Sequence, residues 1–172
     1  MAIPRPPGWE PVDEADIAVV AELLGRQPQG HFQIVLRHDD GTPRVIRNAP
    51  ILGSGRPMPT LYWLVSPHDR LVVSRLESSG AVDVAEADVG LDALAVTHDA
   101  YRAERDALIP CDYTGHRPSA GVGGTRVGVK CLHAHYAYFL AGGDDPAGRW
   151  VADRLAEQTE ASEHADQENA DV

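Results

Sequence analysis

The residues of this chain that are best suited to chemistry lie together between positions 121 and 136. This stretch holds one of the two cysteines, two of the eight histidines and the only lysine. Its glycines leave backbone N–H groups accessible, and the start of a following helix attracts negative charge. We therefore predict a site here for a phosphate-bearing or other anionic ligand. The groups predicted to bind it are Gly123, Gly124, Thr125, Arg126 and Lys130.

A nucleophile is the second chemistry that this stretch suggests. Cys131 would lie at the N-terminus of the predicted helix, where the helix dipole and Lys130 stabilise a thiolate. A helical spacing of four residues places His135 on the same face, where it could act as the base. Cys131 and His135 are therefore the predicted catalytic residues of a hydrolase or transferase, with His133 on another face. The same segment folded as a strand would direct all three side chains to one side.

A metal site is the third chemistry. Sulfur and imidazole ligands suit Zn²⁺, so Cys131 and His135 could be joined by a second cysteine and another histidine, His133 or His116. The predicted zinc ligands are Cys111, Cys131, His133 and His135. Their spacing matches no standard zinc motif. The simplest alternative makes Cys131 a small buried apolar residue and one histidine a hydrogen-bonded core residue.

Two polar residues interrupt the apolar stripe of a long helix predicted from Leu91 to Ile109. His98 and Arg105 fall at helical spacing among leucines and a tyrosine, so both should face the core. A buried arginine needs a partner, which an internal carboxylate such as Glu77 would supply. Alternatively, this stripe borders the site, and Arg105 and His98 bind the anion.

The elements that must position these residues are read from periodicity and from end signals. A helix is predicted after the cap Asp13 and ends at Gly25, and another begins after the cap Ser66 and runs to Ser78. Strands are predicted over 31–38, 44–48 and 60–65, the first two joined by a turn at 39–42. Residues 80–90 are expected to be irregular, and further helices are expected over 129–141 and from Pro146.

This order of elements predicts the α+β class, with a small antiparallel sheet of about three strands packed against helices on one face. The 172 residues fit a single domain, predicted to span 1–156. From residue 157 the chain is acidic, with scarcely any apolar residues, and a disordered tail is expected over 157–172.

Charge and composition exclude several classes of protein. A net charge of −11 argues against a nucleic-acid binder, which needs a basic face. The sequence contains no apolar run of about 18 residues and no hydrophobic signal segment. A cytoplasmic protein with reduced cysteines and no membrane insertion is the resulting expectation.

Four runs give the chain its family resemblance. Gly-Gly-Thr-Arg-Val-Gly-Val-Lys-Cys-Leu-His-Ala-His-Tyr-Ala, followed by Leu-Ala-Gly-Gly-Asp-Asp-Pro-Ala-Gly-Arg-Trp, resembles the signature of the domain-of-unknown-function 501 family of actinobacterial proteins. The upstream runs Pro-Thr-Leu-Tyr-Trp-Leu and Arg-Ala-Glu-Arg-Asp-Ala-Leu-Ile-Pro resemble it too, so the likeness covers most of residues 16–155.

The resemblance implies a setting and not a mechanism. Genes of this family typically lie beside those for a septum-formation protein and an exopolyphosphatase, which implies a role near cell division or phosphate metabolism. Three hypotheses follow: a protein acting on a small anionic ligand, a zinc-stabilised interaction module in cell division or envelope processes, or a metal-free protein partner in a division complex.

Overall fold

The structure is a computed structural model that describes residues 5, 6 and 8–170. The helices of these residues are α1 (Glu14–Leu24), α2 (Pro67–Ser78), α3 (Ala81–Val89), α4 (Leu91–Ala107), α5 (Leu132–Leu140) and α6 (Pro146–Ala170). The strands are β1 (Phe32–Arg37), β2 (Pro43–Asn48) and β3 (Tyr62–Leu64), and Val122–Gly124 forms a short 3-10 turn. The three strands make an antiparallel sheet in the order β1–β2–β3, which confirms the predicted α+β class.

The capping residues of the first two helices lie where the sequence predicts. The Asp13 carboxylate accepts a hydrogen bond from the Asp16 N–H at 2.7 Å, and Gly25 closes α1 in the left-handed conformation at φ 68°. The Ser66 hydroxyl accepts from the Asp69 N–H, and Pro67 occupies the first helical position of α2. Local chemistry is therefore sufficient to define both helices.

Three boundaries differ from the sequence-based prediction. Residues 81–89 form helix α3 and are not irregular. Its inner face carries the buried Ala81 and Ala85 and the partly buried Val82 and Val89, whose helical spacing the prediction overlooked. Helix α4 ends at Ala107 and not at Ile109, and α5 begins at Leu132, three residues after the predicted start.

The sheet is covered on both faces, and not on one as predicted. Val45 and Ile46 are successive residues of β2, so their side chains point to opposite faces of the sheet. Val45 belongs to the main core with α2 to α6, whereas Ile46 packs with Val20 of α1. Helix α1 therefore closes the second face.

The main core also fixes the start of β3, which will form one wall of the site. The Tyr101 hydroxyl of α4 is fully buried and accepts hydrogen bonds from the backbone N–H groups of Leu61 and Tyr62. Since β3 is only three residues long, these hydrogen bonds anchor its start in addition to its pairing with β2.

The acidic C-terminal segment, for which the sequence predicts disorder, begins within helix α6. Helix α6 continues through Ala170, and residues 157–162 are exposed along it. Its alanine, glutamate and glutamine residues favour helix without tertiary contacts. Residues 171 and 172 lie outside the described part of the chain. Within that part, no helix combines the length and apolar character needed to cross a membrane.

Candidate functional site

An open cleft of about 630 Å³ contains the residues that the sequence marked for chemistry. Its walls come from the end of α1, from β3 and the residues before it, from α2, and from the first turn of α5. Lys130, Cys131 and His133 line the cleft together with Gly123 of the 3-10 turn. We call it the Cys131 cleft.

The Cys131 cleft is positively charged in an otherwise acidic protein. Among its described lining residues, Arg26, Arg70 and Lys130 are basic and none is Asp or Glu, although the chain has 26 acidic and 15 basic residues. The Arg26 guanidinium lies 5.1 Å from the centre of the Trp63 ring, which holds it at the cleft by a cation–π contact. The Arg70 guanidinium donates to the Leu23 carbonyl at 3.2 Å.

Three potential ligand groups converge where α2 meets the start of α5, and two of them, Cys131 and His133, line the cleft. The Cys131 Sγ lies 3.7 Å from His133 Nδ1, which lies 3.1 Å from Glu77 Oε1. The three donor atoms all lie within 4.8 Å of one another. Glu77 also accepts a hydrogen bond from the Leu132 N–H at 2.7 Å, which fixes the carboxylate against the start of α5.

The orientation of the His133 ring is determined by its other nitrogen. Nε2 lies 3.0 Å from the Arg70 carbonyl oxygen, which can only accept, so Nε2 carries a proton. Burial alone would lower the pKa of His133. The hydrogen bonds to Cys131 and to the Arg70 carbonyl, with the charge of Glu77, outweigh burial and raise the pKa to about 9. The ring is therefore cationic near neutral pH in the absence of another ligand.

The structure pairs Cys131 with His133 and not with His135. Cys131 is the N-cap of α5, with extended backbone angles of φ −155° and ψ 118°, so helical spacing does not apply to it. His135 is fully buried, and its Nδ1 donates to the Asp145 carboxylate at 2.8 Å. Asp145 in turn accepts from the Gly148 N–H and caps α6. The predicted catalytic pair is thus not assembled, because His135 belongs to a buried structural contact.

The glycine loop folds onto itself and offers few groups to a ligand. The Gly124 N–H donates to the Gly121 carbonyl at 3.1 Å, and the Thr125 N–H donates to the Val122 carbonyl at 3.3 Å. Gly123 borders the cleft in the left-handed conformation at φ 64°. Of the predicted anion-binding residues Gly123, Gly124 and Thr125, Gly123 is therefore the one that borders the cleft.

His98 holds this loop from within the core. Its Nδ1 accepts from the Val122 N–H at 3.1 Å, and its Nε2 donates to the Gly128 carbonyl at 3.0 Å. Burial lowers the pKa of His98, so the ring is neutral and both nitrogens are used. The charged or titratable groups that act on it most are His135, Asp145 and Arg102.

Arg105 holds the preceding segment and does not reach the cleft. Its side chain is fully buried, and it donates to the carbonyls of Pro118 and Ala120 and to the Asp106 carboxylate. Of the two alternatives for Arg105, pairing within the protein is the one observed, but its partners do not include Glu77. His98 and Arg105 therefore position the loop and do not line the Cys131 cleft.

The remaining predicted ligands lie elsewhere. Arg126 donates to the Ser119 hydroxyl at 3.2 Å and is exposed outside the cleft. Cys111 and His116 are exposed. Among the described residues, the mutually adjacent metal-binding groups are Glu77, Cys131 and His133, so neither Cys111 nor His135 joins them.

Sequence reasoning did not assign Glu77, Arg70 or Arg26 to the site. A signal existed for the first two, since Arg70, Ser74 and Glu77 recur at spacings of four and three along one face of α2. Arg26 and Trp63 come from separate elements and meet only through the tertiary fold, so no local pattern relates them.

Fold and site together define a small α+β protein with an open, positively charged cleft that is lined by a thiol and an imidazole, with a carboxylate next to them. The family model described as Protein of unknown function (DUF501) matches residues 34–153. The chain belongs to this family. The matched region contains every lining residue except those at the end of α1. No curated protein and no solved structure was found to match the chain.

Proposed function

We propose that the Cys131 cleft binds a small phosphate-bearing anion. The observation that carries this proposal is the set of basic side chains, Arg26, Arg70 and Lys130, around a cleft without a described acidic lining residue. In a chain of net charge −11, chance placement would favour an acidic surface. A concentration of positive charge in a concave site attracts anions and raises their local concentration.

Lys130 is the basic group best placed for direct contact. It is exposed, it directly precedes Cys131, and it lies beside the N-terminus of α5, where the helix dipole adds positive potential. Two guanidinium groups on the opposite elements can each bind a phosphate through a bidentate fork. Positive charge therefore surrounds the Cys131 cleft, from Arg26 after α1, Arg70 on α2 and Lys130 before α5.

The dimensions of the cleft support a ligand larger than a single phosphate. A volume of about 630 Å³ lies within the range of small-molecule sites. The Trp63 side chain in the wall offers apolar surface for an organic group beside the charged one. A phosphate ester or a diphosphate fits this combination better than inorganic phosphate alone.

The thiol and the imidazole that line the cleft support a chemical role in addition to binding. Cys131 and His133 line the same cleft as the basic side chains, so a bound anion lies next to them. This placement supports a hydrolase or transferase acting on the bound anion.

Calorimetric titration with pyrophosphate tests the proposed function. We expect the full-length protein to bind it, and Lys130→Ala to weaken binding about tenfold, which corresponds to roughly 1.4 kcal/mol. Arg126→Ala is the matched control, because Arg126 lies on the same loop outside the cleft. Equal weakening by the two substitutions, or no binding by the parent protein, would contradict the proposal.

A further inference from the structure

The cluster of ligand groups where α2 meets the start of α5 has the composition of a metal site. It combines a thiol, an imidazole and a carboxylate, from Cys131, His133 and Glu77. Sulfur and nitrogen donors with one carboxylate select Zn²⁺ over Mg²⁺ or Ca²⁺, which prefer oxygen donors alone. We propose that these three residues bind one Zn²⁺ ion.

The distances between the donor atoms agree with a tetrahedral site. Bonds of about 2.0–2.3 Å to zinc at tetrahedral angles separate neighbouring donor atoms by roughly 3.3–3.6 Å. The sulfur of Cys131 and Nδ1 of His133 are 3.7 Å apart, and Nδ1 and the Glu77 oxygen are 3.1 Å apart. The sulfur and the carboxylate oxygen also lie within 4.8 Å of each other.

The orientation of His133 distinguishes a metal site from a catalytic triad. In a triad, one ring nitrogen faces the nucleophile and the other faces the carboxylate. Here the same nitrogen, Nδ1, faces both Cys131 and Glu77. The opposite nitrogen, Nε2, donates to the Arg70 carbonyl at 3.0 Å. A histidine that ligates zinc typically binds through one nitrogen and donates the other to a backbone carbonyl or a carboxylate.

The three ligands are also held by the fold. Glu77 on α2 is fixed by the Leu132 N–H, and Cys131 is fixed as the N-cap of α5 in an extended conformation. His133 lies in the first turn of α5. Because the ligands come from two packed helices, folding brings them together without the metal.

The proposed zinc ion has an open coordination position. Cys131 and His133 line the cleft, so the fourth position faces it. Three protein ligands with one open position are the pattern of catalytic zinc sites, in which water or a substrate oxygen completes the tetrahedron. This inference rests on the proposed function only for the identity of that fourth ligand, an oxygen of the bound anion.

Zinc titration of metal-free, full-length protein prepared without a histidine tag tests the inference. We expect one Zn²⁺ per chain and a higher thermal unfolding temperature with Zn²⁺. Cys131→Ser, His133→Gln and Glu77→Gln should each weaken Zn²⁺ binding at least about tenfold, since even second-shell changes cost that much. Cys111→Ser and His116→Gln are the matched controls and should bind as the parent does.

Substitution with Co²⁺ gives a second readout, which in the parent protein does not depend on the stability of any variant. The parent and Cys111→Ser should show a sulfur-to-cobalt charge-transfer band, and Cys131→Ser should lack it. A parent protein without the band, or Zn²⁺ binding that survives Cys131→Ser, would overturn the inference. Loss of Zn²⁺ binding with pyrophosphate binding intact would leave the proposed function standing, and the reverse result would remove it while retaining the zinc site.

Discussion

Replacing His98 by leucine tests whether this residue holds the loop that brings Gly123 and Lys130 to the cleft. Leucine has a similar size but removes both hydrogen bonds of the ring. The Val122 N–H and the Gly128 carbonyl would then be buried without partners. Each such group costs about 1–3 kcal/mol, so we expect a loss of roughly 2–6 kcal/mol in the free energy of unfolding.

Urea denaturation followed by circular dichroism measures this loss, and hydrogen exchange at the Val122 amide reports the loop directly. His116→Leu is the control, because His116 is exposed and a surface change should alter stability by less than about 0.5 kcal/mol. If His98→Leu costs less than about 1 kcal/mol and Val122 stays protected, then His98 does not hold the loop.

Three further results are expected. A Cβ added at Gly121 would lie 2.5 Å from the Nδ1 of His98, so Gly121→Ala should lower the free energy of unfolding by about 1–3 kcal/mol in urea titrations; unchanged stability would show that the contact is loose. Burial lowers the pKa of His98 in the folded state, so below about pH 6.5 the unfolded chain binds a proton at His98 that the folded chain does not. The free energy of unfolding of the parent, relative to that of His98→Gln, should therefore fall as the pH drops below about 6.5. A difference that is flat with pH would contradict a neutral, buried ring. Pyrophosphate should slow alkylation of Cys131 by iodoacetamide in metal-free protein while the exposed Cys111 reacts as before; mass spectrometry that shows equal protection of both thiols would argue against binding at the cleft.

Local signals in the sequence were sufficient for the elements that have strong ends. Asp13, Gly25, Ser66 and Pro67 define α1 and α2 through caps that need no tertiary information. Helix α3 was missed because its many acidic residues were given more weight than the short apolar pattern of Val82, Ala85 and Val89. The cover on the second face of the sheet could not be predicted either, since it depends on where α1 packs.

The sequence predicted where the candidate site lies, but not which side chains meet there. Lys130 and Cys131 line the cleft as the composition of their stretch suggested. His98 and Arg105 were recognised as polar residues on a buried stripe, but their backbone partners lie 13 to 30 residues further along the chain. Only the tertiary fold reveals such contacts. The partner of Cys131 was also predicted wrongly, because the prediction placed Cys131 inside α5, whereas it precedes the helix.

Mapping pyrophosphate by amide chemical shifts tests the central claim most directly. Titration into metal-free, ¹⁵N-labelled full-length protein should shift the amides around the cleft, at Gly123, at 130–134 and at 62–64, with the exposed loop around Cys111 unchanged. Saturable shifts confined to those residues are the predicted result. Shifts that are absent at these positions, or that cluster elsewhere on the protein, would contradict an anion-binding cleft at Cys131.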